Sequence, residues 1–247
     1  MRYFIELSYN GNAYHGWQNQ PNALSVQEVI EKALSTILGE ATSIMGAGRT
    51  DTGVHAKQMF AHFDSHIVFE LTDLIYKLNS FLPKDIAIRD IFKVKDEVHS
   101  RFDAISRTYL YRISLKKNVF TFNSVYYVKQ SVDVIKMNEA AKILLEYKDF
   151  QCFSKSNTDV KTYNCDILKA EWVFINDELH FVIKANRFLR NMVRAIVGTM
   201  INVGLGKLTI NDVHNIIKSK NRSEAGYSVP AHGLYLLNIA YPEDIKI

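Results

Sequence analysis

"SVQEVIEKALSTILG", residues 25 to 39, decides how the N-terminal half is arranged. Ser25 and Glu28 make an S-x-x-E capping pair. Val26, Val29, Ile30, Ala33, Leu34 and Ile37 then recur at helical spacing until Gly39 stops the run. The segment predicts an amphipathic helix. Ahead of it, RYFIELSY (2–9) mixes alternation with aromatic and β-branched residues, the pattern of a half-buried strand. Behind it, short strands are expected at 42–47 and 57–64. A helix follows from Thr72 to Phe81, halted by Pro83, and then a strand at 86–94. The order β-α-β-β-α-β is the ferredoxin-like plan.

Residues from 107 onward repeat that plan. RTYLYRISL and SVYYVKQ read as strands, DVIKMNEAAKILLEY as a helix, and ILKAEWVFI with LHFVIKAN as a hairpin. FLRNMVRAIVGTMINV reads as a helix, 209–218 as a shorter one, and GLYLLNIAY as the last strand. The expected fold is therefore α+β, with two ferredoxin-like (βαββαβ-type) halves, residues 1–100 and 101–247, and a junction near 95–106. Helices would pack on a mixed or antiparallel sheet, and halves joined edge to edge would leave a cleft between them, the expected place of an active site.

At 247 residues, 47% apolar and 23% charged, the composition is that of an ordinary globular protein. Cys152 and Cys165 are too few for a disulfide framework and too far apart for a CxxC knuckle, which fits a reducing compartment. The N-terminus MRYFIELSYN lacks a basic stretch followed by an apolar one, and no apolar run approaches the ~20 residues of a membrane helix. A cytoplasmic protein without membrane attachment is expected. The net charge of +4 permits a polyanionic partner without demanding one.

The chemistry-bearing candidates start with GAGRTDTGVH, residues 46–55. Gly46, Gly48 and Gly53 mark a loop that bends sharply or is approached closely. Asp51 in that loop could face a ligand or only bond its own backbone, as turn aspartates do. In the helix near residue 190, Arg187, Arg190 and Arg194 are spaced to share one face beside the apolar stripe. That face is either a solvated helix edge or one that reaches into a cleft. RTYLYR (107–112) sets Tyr109 and Tyr111 on one strand face with Arg107 alongside, as sheet packing or as a stacking surface for a base. H-x-D-x-H puts His62, Asp64 and His66 on one face of a strand, a spacing that serves a metal or ordinary hydrogen bonding. The chain has no G-x-S-x-G elbow, Walker A loop or dinucleotide fingerprint.

Taken together, G-R-T-D-x-G-V-H at 48–55, YHGWQNQ at 14–20, RTYLYR at 107–112, NRFLRNMVRAIVGTM at 186–200 and PAHGLYL at 230–236 resemble the TruA-type tRNA pseudouridine synthases. The resemblance runs in order from residue 3 to about 242; Thr52 stands where that family usually has Ala. It implies isomerisation of uridine to pseudouridine at positions 38, 39 and 40 of the tRNA anticodon stem-loop, without metal or organic cofactor, by a homodimer with tRNA lying across both subunits. By the same resemblance Asp51 matches the catalytic aspartate, Tyr109 the tyrosine that contacts the substrate, and Arg194 the arginine that pairs with the aspartate. Arg49 would occupy the helical space left by a flipped uridine.

Two rival readings follow from the same residues. One is a non-catalytic RNA-binding protein with tandem ferredoxin-like modules, although neither half carries the RNP1 pattern. The other is a metal hydrolase built on His62, Asp64 and His66, which predicts bound metal in the purified protein.

Overall fold

The structure, a computed structural model, describes residues 1–155 and 160–247. Its chain divides into two compact units, residues 1–105 with 235–247 and residues 106–234.

The first unit begins with β1 (Arg2–Tyr9), followed by α1 (Val26–Leu38), β2 (Met45–Gly46), β3 (His55–Asp64), α2 (Leu71–Phe81) and β4 (Ile86–Val94). β1 runs antiparallel to both β3 and β4, and β2 pairs with β3 at Met45↔His62 and Gly46↔Ala61. The order β4-β1-β3-β2 is that of a ferredoxin-like sheet. α1 starts where its cap predicts, with Ser25 accepting the Glu28 N–H at 3.1 Å, and it ends on Gly39 in the left-handed region at φ 74°. It buries Val26, Ile30, Ala33 and Leu34. α2 stops at Leu82, which is held extended (φ −69°, ψ 150°) as the residue before a proline must be. Asn79 on this helix closes the outer edge of β4 by donating to the Ile88 carbonyl (2.9 Å) and accepting the Ile88 N–H (2.8 Å).

The second unit contains β5 (Ser106–Ser114), β6 (Tyr126–Tyr127), α3 (Val134–Ile143), β7 (Ile167–Ile175), β8 (Glu178–Ala185), α4 (Met192–Gly204) and α5 (Ile210–Ser219). β8 lies between β5 and β7, antiparallel to each, and β6 adds two residues parallel to the end of β5. The strand expected over SVYYVKQ is thus only Tyr126–Tyr127. α4 is buried nearly all round, from Met192 to Gly204, as a helix through the middle of a core is. α5 carries the reciprocal capping box, Thr209 with Asp212.

The last strand, β9 (Leu234–Ala240), runs parallel to the start of β3 through His55↔Tyr235 and Ala56↔Leu236. Asn238 Nδ2 and the Ile239 N–H both donate to Gln58 Oε1, at 2.9 and 3.0 Å. The contiguous reading counted this strand with the C-terminal half; residues 235–247 lie in the first unit.

Candidate active site

The loop 46–55 is held by the segment that follows β1. Gly11 donates its N–H to His55 Nδ1 at 3.1 Å, and the His55 ring stacks on Tyr235 with centroids 4.5 Å apart. Gly53 donates to the Tyr14 carbonyl, Trp17 to the Thr50 carbonyl, and Tyr9 shares its hydroxyl with Thr50 Oγ1 at 2.9 Å. Tyr14 is in turn anchored by its hydroxyl, which donates to Asp85 Oδ1 at 2.7 Å. Ala47 bonds Phe60 on β3, and the Val54 N–H closes a turn onto the Asp51 carbonyl. Gly53 takes a φ of 79°, a conformation that a side chain would strain.

The result is a loop whose backbone is fixed at both ends and from beneath. Arg49 and Thr52 on it are exposed, and Thr50 and Asp51 are half-buried. The YHGWQNQ stretch therefore acts mechanically, with its Tyr14, Gly16 and Trp17 forming the bed of the loop. That bed was not legible in the sequence, because its hydrogen bonds span tens of residues; the only signal was the cluster of glycines on both segments.

In the second unit, Tyr109 sits on β5 opposite Ile183, with its ring packed edge-on against Phe188 at 5.1 Å. Tyr111, two residues along on the same face, is fully buried; its hydroxyl donates to the Pro230 carbonyl at 2.8 Å, and burial raises its pKa. One strand face thus carries one tyrosine for packing and one half-buried tyrosine. Arg194 leaves the first turn of α4 and donates Nε to the Val229 carbonyl at 2.7 Å, while Val229 N–H bonds back to the Arg194 carbonyl at 3.3 Å.

The shared arginine face does not form. α4 begins at Met192, after Asn191 turns the chain at φ 67°, so Arg187 and Arg190 precede the helix and only Arg194 lies on it. The hydrophobic period of FLRNMVRAIV continues through the turn, and this is why spacing alone extended the helix too far.

The H-x-D-x-H residues go separate ways. Ser100 donates its N–H to His62 Nδ1 at 3.2 Å and its hydroxyl to the Met45 carbonyl at 2.7 Å. Burial pushes the His62 imidazole down to about 4. Asp64 accepts both Nε and Nη2 of Arg2 at 2.9 Å, a forked pair that holds its carboxyl below the ordinary range. His66 lies beyond the end of β3 and is exposed. Among the described residues no group of three His, Cys, Asp or Glu is placed to hold a metal ion, and no helix is long and apolar enough to cross a membrane.

Comparison with known proteins bears on the whole chain. A family model described as tRNA pseudouridine synthase matches residues 7–103 and 140–242, which include Asp51 and Arg194. A protein named tRNA pseudouridine synthase A from Parabacteroides distasonis is 51% identical over 245 residues, covering 99% of this chain and 97% of its own. One of the same name from Bacteroides thetaiotaomicron is 51% identical over 247 residues, covering 99% and 92%. Another from Thermoanaerobacter pseudethanolicus is 41% identical over 244 residues, covering 96% and 98%. With these matches the chain belongs to the tRNA pseudouridine synthase family, isomerases that convert uridine to pseudouridine.

Proposed function

We propose that the protein isomerises uridine at positions 38, 39 and 40 of the tRNA anticodon stem-loop, with Asp51 as the catalytic carboxylate. The observation that supports this is the mounting of the 46–55 loop. A carboxylate and a guanidinium two residues apart stand on a backbone pinned by Gly11, Tyr14, Trp17 and Phe60, so the loop that carries them is set before substrate arrives.

The reaction breaks the N1–C1′ bond of uridine, turns the base, forms a C5–C1′ bond and removes the proton from C5, while N1 ends protonated. No atom is gained or lost, so no oxidant or group donor enters. Asp51 serves as the nucleophile toward sugar or base, or as the base toward C2′. The remaining roles rest on the places these residues hold in the family's motifs. Tyr109 stacks on the target ring, Arg194 pairs with Asp51 and orients it, and Arg49 fills the gap left by the flipped nucleotide. The enzyme works in the cytoplasm as a homodimer, in which two copies double the +4 charge presented to tRNA.

The test is tritium release from tRNA labelled at uridine C5, because loss of that hydrogen accompanies isomerisation and not binding. Asp51→Asn should fold, bind tRNA and release no tritium, since an amide has the carboxylate's shape without its charge or nucleophilicity. A variant that keeps about a tenth of the wild-type rate or more overturns the assignment of Asp51. Tight tRNA binding by a wild-type protein that releases no tritium favours the pure RNA binder instead.

A further inference from the structure

After α5, residues 222–233 run back along α4 as a strap. Gly226 donates its N–H to Thr199 Oγ1 at 2.8 Å, and Gly198 faces the backbone of Tyr227 so closely that a Cβ there would stand 3.0 Å from its carbonyl carbon and nearer still to the oxygen. Farther along, the Val229 and Arg194 backbones are bonded. At its far end Tyr111 bonds the Pro230 carbonyl, and Gly233 backs onto the Tyr111 ring.

At the middle of the strap sits Ser228. Its Oγ accepts Asn191 Nδ2 at 2.7 Å and Arg222 Nη2 at 2.9 Å, while Arg222 Nη1 bonds the Gly226 carbonyl at 3.1 Å. One hydroxyl therefore joins the residue that turns the chain into α4, the first residue of the strap and the strap's middle. Two lone pairs are used on two donors, one of them charged.

The next residue in the chain is Val229, whose carbonyl receives Arg194 Nε. The Nε–H bond ties the Arg194 guanidinium to that carbonyl, and the carbonyl stands one residue from the Ser228 junction. We propose that Ser228, held by Asn191 and Arg222, is a positioning residue that aims Arg194. The catalytic consequence of that aim rests on the role given to Arg194 above; the aim itself does not. Displacing a catalytic group by about 1 Å can cost ~100-fold in rate, so a hydroxyl that acts through Arg194 can control turnover.

The test combines a structural and a kinetic readout on the full-length protein. The Arg194 Nε–H resonance is assigned by its disappearance in Arg194→Lys, and its exchange with solvent is measured in Ser228→Ala and Ser228→Thr. Ser228→Ala should speed that exchange by about tenfold and lower kcat on tRNA by about tenfold, with KM changed less than about twofold. Ser228→Thr, which keeps the hydroxyl, should restore both. In an Arg194→Lys background, Ser228→Ala should cost less than about twofold more, because both changes disable one device. Asn191→Gly, which tolerates the positive φ but removes the amide, should reproduce the exchange effect if Ser228→Ala folds poorly.

An unchanged Arg194 Nε–H in Ser228→Ala and Asn191→Gly overturns the positioning, as does a double variant whose losses multiply. If the resonance responds while Arg194→Lys turns over at the wild-type rate, the positioning stands and the proposed role of Arg194 in the site falls.

Discussion

Gly46 lies against the indole of Trp17, so that a Cβ on it would stand 2.8 Å from Cζ2 and nearer still to Nε1 and Cε2. Two residues on, Gly48 has nothing within 4 Å of the same point and no positive φ. The two glycines of one motif thus answer to different constraints. Gly46→Ala should destabilise the protein by about 1–3 kcal/mol through overpacking against a buried ring. Gly48→Ala should be neutral or stabilise by ~0.4–1 kcal/mol, through the smaller freedom of its unfolded chain. Urea midpoints of the two variants check this, and equal midpoints would contradict it.

His62 gives stability a pH dependence of known sign. In the fold burial pushes its ring down to about 4, whereas the unfolded chain takes up a proton near the ordinary value of 6.5. Between those values the unfolded state binds more protons, so stability falls as pH drops from 6.5 toward 4 and the effect levels off below. His62→Asn keeps an acceptor for the Ser100 N–H but does not titrate there. Its urea midpoint should therefore vary less than that of the wild type across this window.

Tyr109, proposed above to stack on the target ring, carries a hydroxyl that also suits it to take the C5 proton, and two variants separate these roles. Its ring already meets Phe188 edge-on, so Tyr109→Phe keeps the packing and loses only the hydroxyl. That variant should bind tRNA as the wild type does while releasing tritium about 100-fold more slowly, the scale of a lost general base. Tyr109→Leu should weaken both. Wild-type release by Tyr109→Phe would limit the residue to stacking.

The place proposed for Arg49, in the gap left by a flipped uridine, predicts a defect that depends on the target's place in tRNA. Positions 39 and 40 lie in the anticodon stem, opposite partners they must leave, whereas position 38 lies in the loop. Arg49→Ala should slow modification in the stem more than in the loop, because extrusion costs a few kcal/mol in a duplex and less where the base is unpaired. Mapping pseudouridine on tRNAs with one target uridine each gives the comparison. Equal losses at all three positions would assign Arg49 to the aspartate or to a phosphate.

What the sequence made legible was local. The Ser25 cap, the Gly39 stop, the Pro83 boundary and the aromatic and β-branched run of β1 act over a few residues, and each lies where its pattern places it. Asn191 was missed because its left-handed turn interrupts a hydrophobic period that itself continues. His62 has its partner 38 residues away, and the Arg194–Val229 bond spans 35. Such bonds follow from tertiary packing, which no periodicity encodes. The glycine loop was legible as a motif, but the bed of Tyr14 and Trp17 that fixes it was not.

The return of β9 to β3 bears on how the protein is made. A ribosome delivers residues 1–105 long before 235–247, yet both belong to the first unit. Until the final strand emerges, Gln58 lacks the Asn238 and Ile239 donors and His55 lacks the ring of Tyr235. Because His55 ends the loop that carries Asp51, the nascent chain holds that loop without its last brace while the whole of the second unit is being synthesised. Assembly of the aspartate loop is thereby tied to the synthesis of residues 235–240, and a chain cut short before Tyr235 carries the motif without that support.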